Sequence, residues 1–275
     1  MNITAPAPNS VFTISSQAEW PSIPFQTDAA GPHTWNWVVS WNSFTKSGVA
    51  TTPSNQWDAG DVVANYGGIL TVRVENGTDT ATISVKIQGT NPASADLTSF
   101  LATLANSLGF DRIILKESGG KHFNQSGEPV KSFDNGYGLC QLTTPVPTFE
   151  QVWNWKSNVQ AGLALYASKQ VAAKSYLSQG GRTFTQDQLK YETVCRWNGG
   201  SYHEWDEEKN VWIRHPNILC DSACGSIGWD MNDSENAGKT EAELHQRDCA
   251  SYHSRPGPDA HWKYSGVCYA DRLLG

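Results

Sequence analysis

The chain has 275 residues, 39% of them hydrophobic and 17% charged, which is enough apolar material for a real core and enough length for two domains. This balance excludes a disordered or collagen-like chain. A net charge of −7, from 20 Lys and Arg against 27 Asp and Glu with no basic cluster, removes the counterion release that drives nucleic-acid binding. No apolar run reaches the ~18 residues of a membrane span. The opening residues 1–10 carry neither a basic nor an apolar leader region, so no Sec-type signal is expected.

Residues 1 to about 92 read as all-β. Val11 to Ser15, His33 to Trp41, Ile69 to Val74 and Ala81 to Ile87 alternate apolar and polar side chains with period two. Turn clusters at Asp28–Pro32, Asn65–Gly68 and Glu75–Asp79 separate them, and Asn76-Gly77 marks the clearest hairpin. The pattern predicts a sandwich of immunoglobulin or fibronectin type III character. Trp35, Trp37 and Trp41 share one strand parity and project to one side, as a core stripe or as a sugar-stacking face.

Past residue 92 the period changes. Leu97, Phe100, Leu101, Leu104 and Leu108 predict an amphipathic helix with Ser94 at its N-cap. A short element from Asp111 to Ser118 stops at Gly119-Gly120, placing Glu117 at its end. His122 to Phe133 reads as a hairpin turning at Ser126-Gly127. Trp153 and Trp155 are packing residues in a turn before a helix marked by Val159, Leu163 and Tyr166. Thr185-x-x-Gln188 is a capping box opening a helix toward Cys195. From 201 to 260 periodicity fades into a polar stretch rich in Trp, His, Asp and Cys. The expected fold class is therefore α+β with two domains, a β-sandwich over 1–92 and an α-rich domain over 93–275 with an insertion at about 201–260.

All six cysteines, Cys140, Cys195, Cys220, Cys224, Cys249 and Cys268, lie in the second half. An even count beside a loop-rich stretch suggests a disulfide framework of open connectivity. The rival is a zinc site, since Cys220-x3-Cys224 and His245-x3-Cys249 have ligand-like spacing. No metal is expected on balance, because neither pair has the tighter C-x2-C spacing. His203, Asp206, His215, His245, His253 and His261 read as hydrogen-bonding surface residues. Serine-hydrolase, P-loop and zincin signatures are missing from the sequence.

Glu117 follows Ile113-Ile114-Leu115 and precedes two glycines, so it stands half in apolar surroundings and half open to whatever approaches the turn. A carboxylic acid so placed can hold its proton for a leaving glycosidic oxygen. Glu117-Ser118-Gly119, then Gly136-Tyr-Gly-Leu-Cys-Gln141-Leu-Thr143, then Arg196-Trp-Asn198-Gly-Gly200 follow in order. Together they resemble the successive motifs of the lytic transglycosylase and goose-type lysozyme superfamily. Cys268-Tyr269-Ala-Asp-Arg-Leu-Leu274 is similar to its last motif, a Tyr opening a C-terminal helix. The resemblance covers about 97–200 and 266–274.

The resemblance implies a lysozyme-like catalytic domain with Glu117 as acid and then base. Ser118 would hydrogen-bond its carboxylate or the peptide side of the substrate. Gln141, Trp197, Asn198 and Tyr269 would line the cleft, the tyrosine hydroxyl orienting Glu117. Gly136 and Gly138 would let the backbone approach the glycan. Departures are Trp197 in place of the usual Tyr, Cys140 in place of the common Met, and Thr143 where a goose-type aspartate would stand.

An inverting hydrolase needs a second carboxylate about 6.5–9.5 Å from the first and a retaining one a nucleophile at about 5–5.5 Å. Asp134 is the candidate second carboxylate. With one acid, intramolecular closure of a 1,6-anhydro ring is the economical chemistry. The expectation is a cofactor-free peptidoglycan lytic transglycosylase cutting the β-1,4 bond between N-acetylmuramic acid and N-acetylglucosamine. It would act after secretion, in a periplasm or at a cell wall, as an antibacterial effector of type VI kind or a phage lysin. An effector would bring a cognate immunity protein and a secretion-apparatus component as partners. The alternatives are a hydrolytic goose-type lysozyme and a non-catalytic glycan-binding module.

Overall fold

A computed structural model describes residues 1–105, 107 and 109–275. The protein is a mixed α and β structure with several sheets and, among the described residues, seven α-helices. It divides into two compact units, Met1–Ser107 with Ile114–Gly162, and Leu108–Ile113 with Leu163–Gly275.

In the first unit, eight strands are β1 (Ile3–Ala5), β2 (Val11–Ile14), β3 (Pro24–Thr27), β4 (His33–Trp41), β5 (Phe44–Thr52), β6 (Gln56–Asp58), β7 (Gly68–Asn76) and β8 (Asp79–Gly89). They form a five-stranded sheet in the order β2-β8-β7-β4-β5 and a three-stranded sheet β1-β3-β6. All pairings are antiparallel except β2 with β8. The period-two pattern is what buries one face: Trp35, Trp37 and Val39 of β4, Leu70, Val72 and Val74 of β7, and Ile83, Val85 and Ile87 of β8 all point into the core. Phe25 and Trp57 of the small sheet and Trp35 of the large one stack with centroids 5.6 Å apart in each successive pair. Trp35 and Trp37 are thus core residues. The β7–β8 turn closes one residue later than the sequence suggests: Asn76 pairs with Asp79, and Gly77 takes φ +59°. Strand β5 was not legible as a strand, because its exposed edge mixes Lys46, Ser47 and Gly48.

The apolar core of the sheets continues into residues 123–153. Trp41 of β4 meets Trp153 edge-on at 5.8 Å and Tyr137 at 6.1 Å, and Phe44 stacks on Phe149 at 5.6 Å. Gly67 and Gly89 are pressed against the rings of Trp153 and Phe123, where no side chain would fit.

Helix α1 (Ser94–Ala102) begins one residue before expectation would have it capped: Ala93 is the N-cap and no side chain caps it. It buries Leu97 and Leu101 and ends before Leu104; Leu108 lies outside the described residues. Helix α2 (Phe110–Ser118) stops at Gly119 and Gly120, both left-handed with φ +61° and +74°. Helix α3 (Phe149–Trp153) opens on a capping box of Thr148 and Gln151. Helix α4 (Trp155–Leu177) includes Trp155 in its first turn, so that residue is helical and buried rather than part of a turn.

In the second unit, α5 (Gln186–Asn198) opens on the expected box: Thr185 Oγ1 accepts from Gln188 N at 3.1 Å and Gln188 Oε1 from Thr185 N at 2.8 Å. The 201–260 stretch is not structureless. It holds β9 (His203–Asp206), β10 (Val211–Arg214), β11 (Ile218–Cys220), β12 (Ile227–Asp230) and α6 (Glu241–Asp248), followed by β13 (Lys263–Tyr264) and α7 (Gly266–Leu274). Ile227, Trp229, Leu244, Tyr252 and Trp262 make its own small core. No helix among the described residues is long and apolar enough to cross a membrane.

The six-cysteine framework reduces to one bridge among the described residues, Cys220–Cys268, which ties β11 to α7. Cys140 and Cys195 are buried thiols. Burial, helped by the charges of Glu192 and Asp271, pushes Cys195 up to about 12. Because Cys220 is bridged, the zinc-like Cys220-x3-Cys224 spacing cannot serve a metal, and no group of three or more metal-ligating side chains occurs among the described residues.

Candidate active site

Glu117 and Ser118 end α2. Ile113 and Ile114 on the preceding turn are fully buried, Glu117 is half-buried, and the two left-handed glycines turn the chain away. The Ser118 hydroxyl donates to the Ile114 carbonyl at 3.0 Å, closing the last helical turn.

The second motif is a tight loop. Tyr137 and Leu142 exchange backbone hydrogen bonds at 3.1 and 3.2 Å, and Gly138 to Gln141 close the turn between them. Gly138 sits at φ +69° and Gln141 at φ +47°, a left-handed conformation that costs a non-glycine residue of order 1 kcal/mol. Gln141 Nε2 donates to the Gly138 carbonyl at 2.7 Å, which holds that conformation.

Two buried polar side chains fasten this loop. Asn158 Oδ1 accepts the Cys140 N–H at 3.0 Å, while its Nδ2 donates to the carbonyls of Tyr137 at 3.1 Å and Gln151 at 3.0 Å. His122 Nδ1 accepts the Leu139 N–H at 3.3 Å, so its proton is on Nε2, which donates to the Val152 carbonyl at 2.9 Å. Burial pulls His122 down to about 3, the Val152 carbonyl opposing it, and the ring is neutral. Asn91 in turn accepts from the His122 and Phe123 N–H groups at 2.7 Å each.

The glycines of the motif make room for protein. A side chain on Gly138 would meet His122 at 2.5 Å and Asn158 at 2.8 Å; one on Gly136 would meet Ser132 Oγ at 2.7 Å and the Gln141 carbonyl at 3.0 Å. First burial and then the Glu117 charge push the Cys140 thiol far above its ordinary value. The Glu117 charge is thus felt inside the loop of the second motif. Asp134 is exposed on the turn before Gly136, where its carboxylate accepts from the Ser132 hydroxyl.

The remaining candidates belong to the second unit. Trp197 near the end of α5 packs edge-on to Phe110 at 5.7 Å and beside Tyr166 at 6.4 Å. Asn198 is exposed at the helix end and lines a cleft, and Gly199 and Gly200 follow at φ +109° and +88°. Tyr269 is buried on α7, whose N-cap is Ser265. Arg196 is held by Glu192, Nη2 to Oε1 at 2.8 Å, and lies over the Tyr176 ring at 4.9 Å. Buried Glu192 also accepts from the N–H groups of Tyr202 and His203 and from His203 Nδ1 at 3.0–3.1 Å.

Sequence reasoning missed His122, Asn158 and Asn91. Asn158 had a signal: with Trp155, Val159 and Tyr166 it falls on the buried stripe of α4, where a polar residue is expected only if its hydrogen bonds are filled. No family model matches the chain, and no curated protein matches it either.

Proposed function

We propose that the protein is a peptidoglycan-cleaving lytic transglycosylase, with an immunoglobulin-like N-terminal sandwich and a lysozyme-like catalytic domain. The observation that carries the reading is the placement of Glu117, a half-buried carboxyl at a helix end whose charge reaches Cys140 inside the fastened Gly136–Gln141 loop. Ordered motifs of the same kind in Arg196–Gly200 and Cys268–Leu274 support it.

In this reading Glu117 gives its proton to the oxygen of the β-1,4 bond as the muramoyl C1–O bond breaks, and the leaving N-acetylglucosamine regains its hydroxyl. The muramoyl C6 oxygen then bonds to C1 and surrenders its proton to the Glu117 carboxylate. The acid is restored, no water is consumed, and a 1,6-anhydro end results. A C6 hydroxyl on the same sugar gains from proximity what bulk water lacks. By the resemblance of their motifs, Gln141 of the first unit would contact sugar, and so would Trp197, Asn198 and Tyr269 of the second.

The Cys220–Cys268 bridge supports an oxidising compartment and hence secretion to a periplasm or cell wall. An antibacterial effector role, with an immunity protein that plugs the Glu117 cleft, belongs to the same proposal.

The test is mass spectrometry of fragments released from purified sacculi by the wild type and by Glu117→Gln. Fragments about 18 Da lighter than reducing muropeptides, the mass of the water left out, with none from Glu117→Gln, are expected. Reducing ends would make the enzyme a hydrolase and Asp134 its next suspect. Silence from a folded, oxidised wild type would leave only a glycan-binding module.

A further inference from the structure

A cleft of about 400 Å3 lies at the end of α5, and most of its lining comes from the stretch outside the motifs: His215, Ile218, Asp230, Lys263 and Tyr264. Three features set its chemistry. A cation and an anion stand side by side, Lys263 Nζ to Asp230 Oδ2 at 3.3 Å, with side chains 49% and 39% exposed. Such an open pair is worth little by itself and exchanges partners cheaply. His215, also in the lining, has a buried Nδ1 with no hydrogen-bond partner among the described residues. An atom of that kind is one that water or ligand satisfies. Lastly, Gly199 and Gly200 are consecutive left-handed residues with nothing within 4 Å of where a side chain would project. One wall is therefore bare backbone that a ligand can approach closely.

We propose that this cleft binds the free amino-carboxylate end of a diamino acid, the group carried by peptide stems of the wall polymer. The ligand's carboxylate replaces Asp230 on Lys263, its ammonium takes the Asp230 carboxylate, and its methylenes run along Ile218 and the glycine wall. A simple anion meets repulsion from Asp230, and a simple cation meets it from Lys263. A neutral sugar can offer hydroxyls to each side but no charge to replace the one it displaces. A group with an ammonium and a carboxylate on one carbon matches both sides in charge. The source of the ligand rests on the wall-cleaving reading above; the charge pattern does not.

The experiment is calorimetric titration of the full, oxidised protein with a synthetic Ala-Glu-diaminopimelate tripeptide. Two capped forms serve as controls, one acetylated on the terminal amine and one amidated on the neighbouring carboxylate. Saturable binding of the free tripeptide is expected, weakened about tenfold by either cap and by Lys263→Met or Asp230→Asn, the usual worth of one charge-assisted contact. No saturable binding, equal binding of the capped forms, or indifference to both substitutions overturns the proposal. Sacculus digestion by the same preparation separates the two readings. Cleavage without tripeptide binding sinks the cleft and spares the enzyme; tripeptide binding without cleavage supports the cleft and sinks the enzyme.

Discussion

Asn158 accepts the backbone N–H of Cys140 at 3.0 Å across 18 residues of chain, and its amide also serves the carbonyls of Tyr137 and Gln151. Every polar atom of the side chain is used, and all of it is buried. Removing it takes the partner from the Cys140 N–H and the Gln151 carbonyl in a dry interior, each worth about 1–3 kcal/mol, while the Tyr137 carbonyl keeps the Leu142 N–H. Asn158→Ala should therefore lose at least ~2 kcal/mol in urea denaturation. A loss under ~1 kcal/mol would mean that water enters and replaces the amide.

Gly138 and Gly119 are both left-handed, at φ +69° and +61°, yet only Gly138 faces neighbours. Gly119→Ala should cost about 1 kcal/mol, the backbone term alone. Gly138→Ala adds overlap with His122 and Asn158 and should cost ~3 kcal/mol or more. Equal losses in paired denaturation curves would count against the packing described for the loop.

His122 carries the clearest pH dependence. Burial sets its folded pKa at about 3, below its unfolded value near 6.5, so between these limits the unfolded chain binds more protons than the folded one. Its contribution is complete above about pH 6.5 and declines as pH falls toward 3, by up to about 1.4 kcal/mol per pH unit. Stability measured from pH 7 to 4.5 should fall less steeply in His122→Gln than in the wild type. Parallel slopes would place the decline on carboxylates instead.

The Cys220–Cys268 bridge closes a loop over a sequence separation of 48. The chain-entropy account gives it about 4 kcal/mol, acting through the unfolded state. Reduction, or the pair Cys220→Ala with Cys268→Ala, should lower stability by ~2–4 kcal/mol while Cys140 and Cys195 stay unreactive to iodoacetamide until denaturant is added. Native labelling of Cys140 would contradict its burial.

What could be read in advance follows physical lines. Strands β4, β7 and β8 were legible because one face of each is buried, and burial writes a period of two. Thr185-x-x-Gln188 was legible because a cap is a local contact; the same signature at Thr148 and Thr240 was there to be read. Strand β5 and the short strands of 203–230 escaped, since an edge or a three-residue pairing imposes no pattern. Glu117 stood out by its apolar approach and its glycines. His122 and Asn158 did not, because they act across 17 and 18 residues on backbone groups, and such contacts leave no mark on the residues between. The cysteine count was legible, but which sulfurs meet depends on the packing of β11 on α7.

One core serves the two sheets and the segment that carries the second motif. A polypeptide started at Ala93 would present Phe123, Tyr137, Phe149 and Trp153 to water with their covering strands gone, an exposed aromatic face that invites aggregation. The β half is therefore no detachable cassette: recombination that swapped it for another sandwich would have to supply a matching floor of rings, with glycines where 67 and 89 now stand. Inheritance should keep these parts together even while the outer faces of the strands drift.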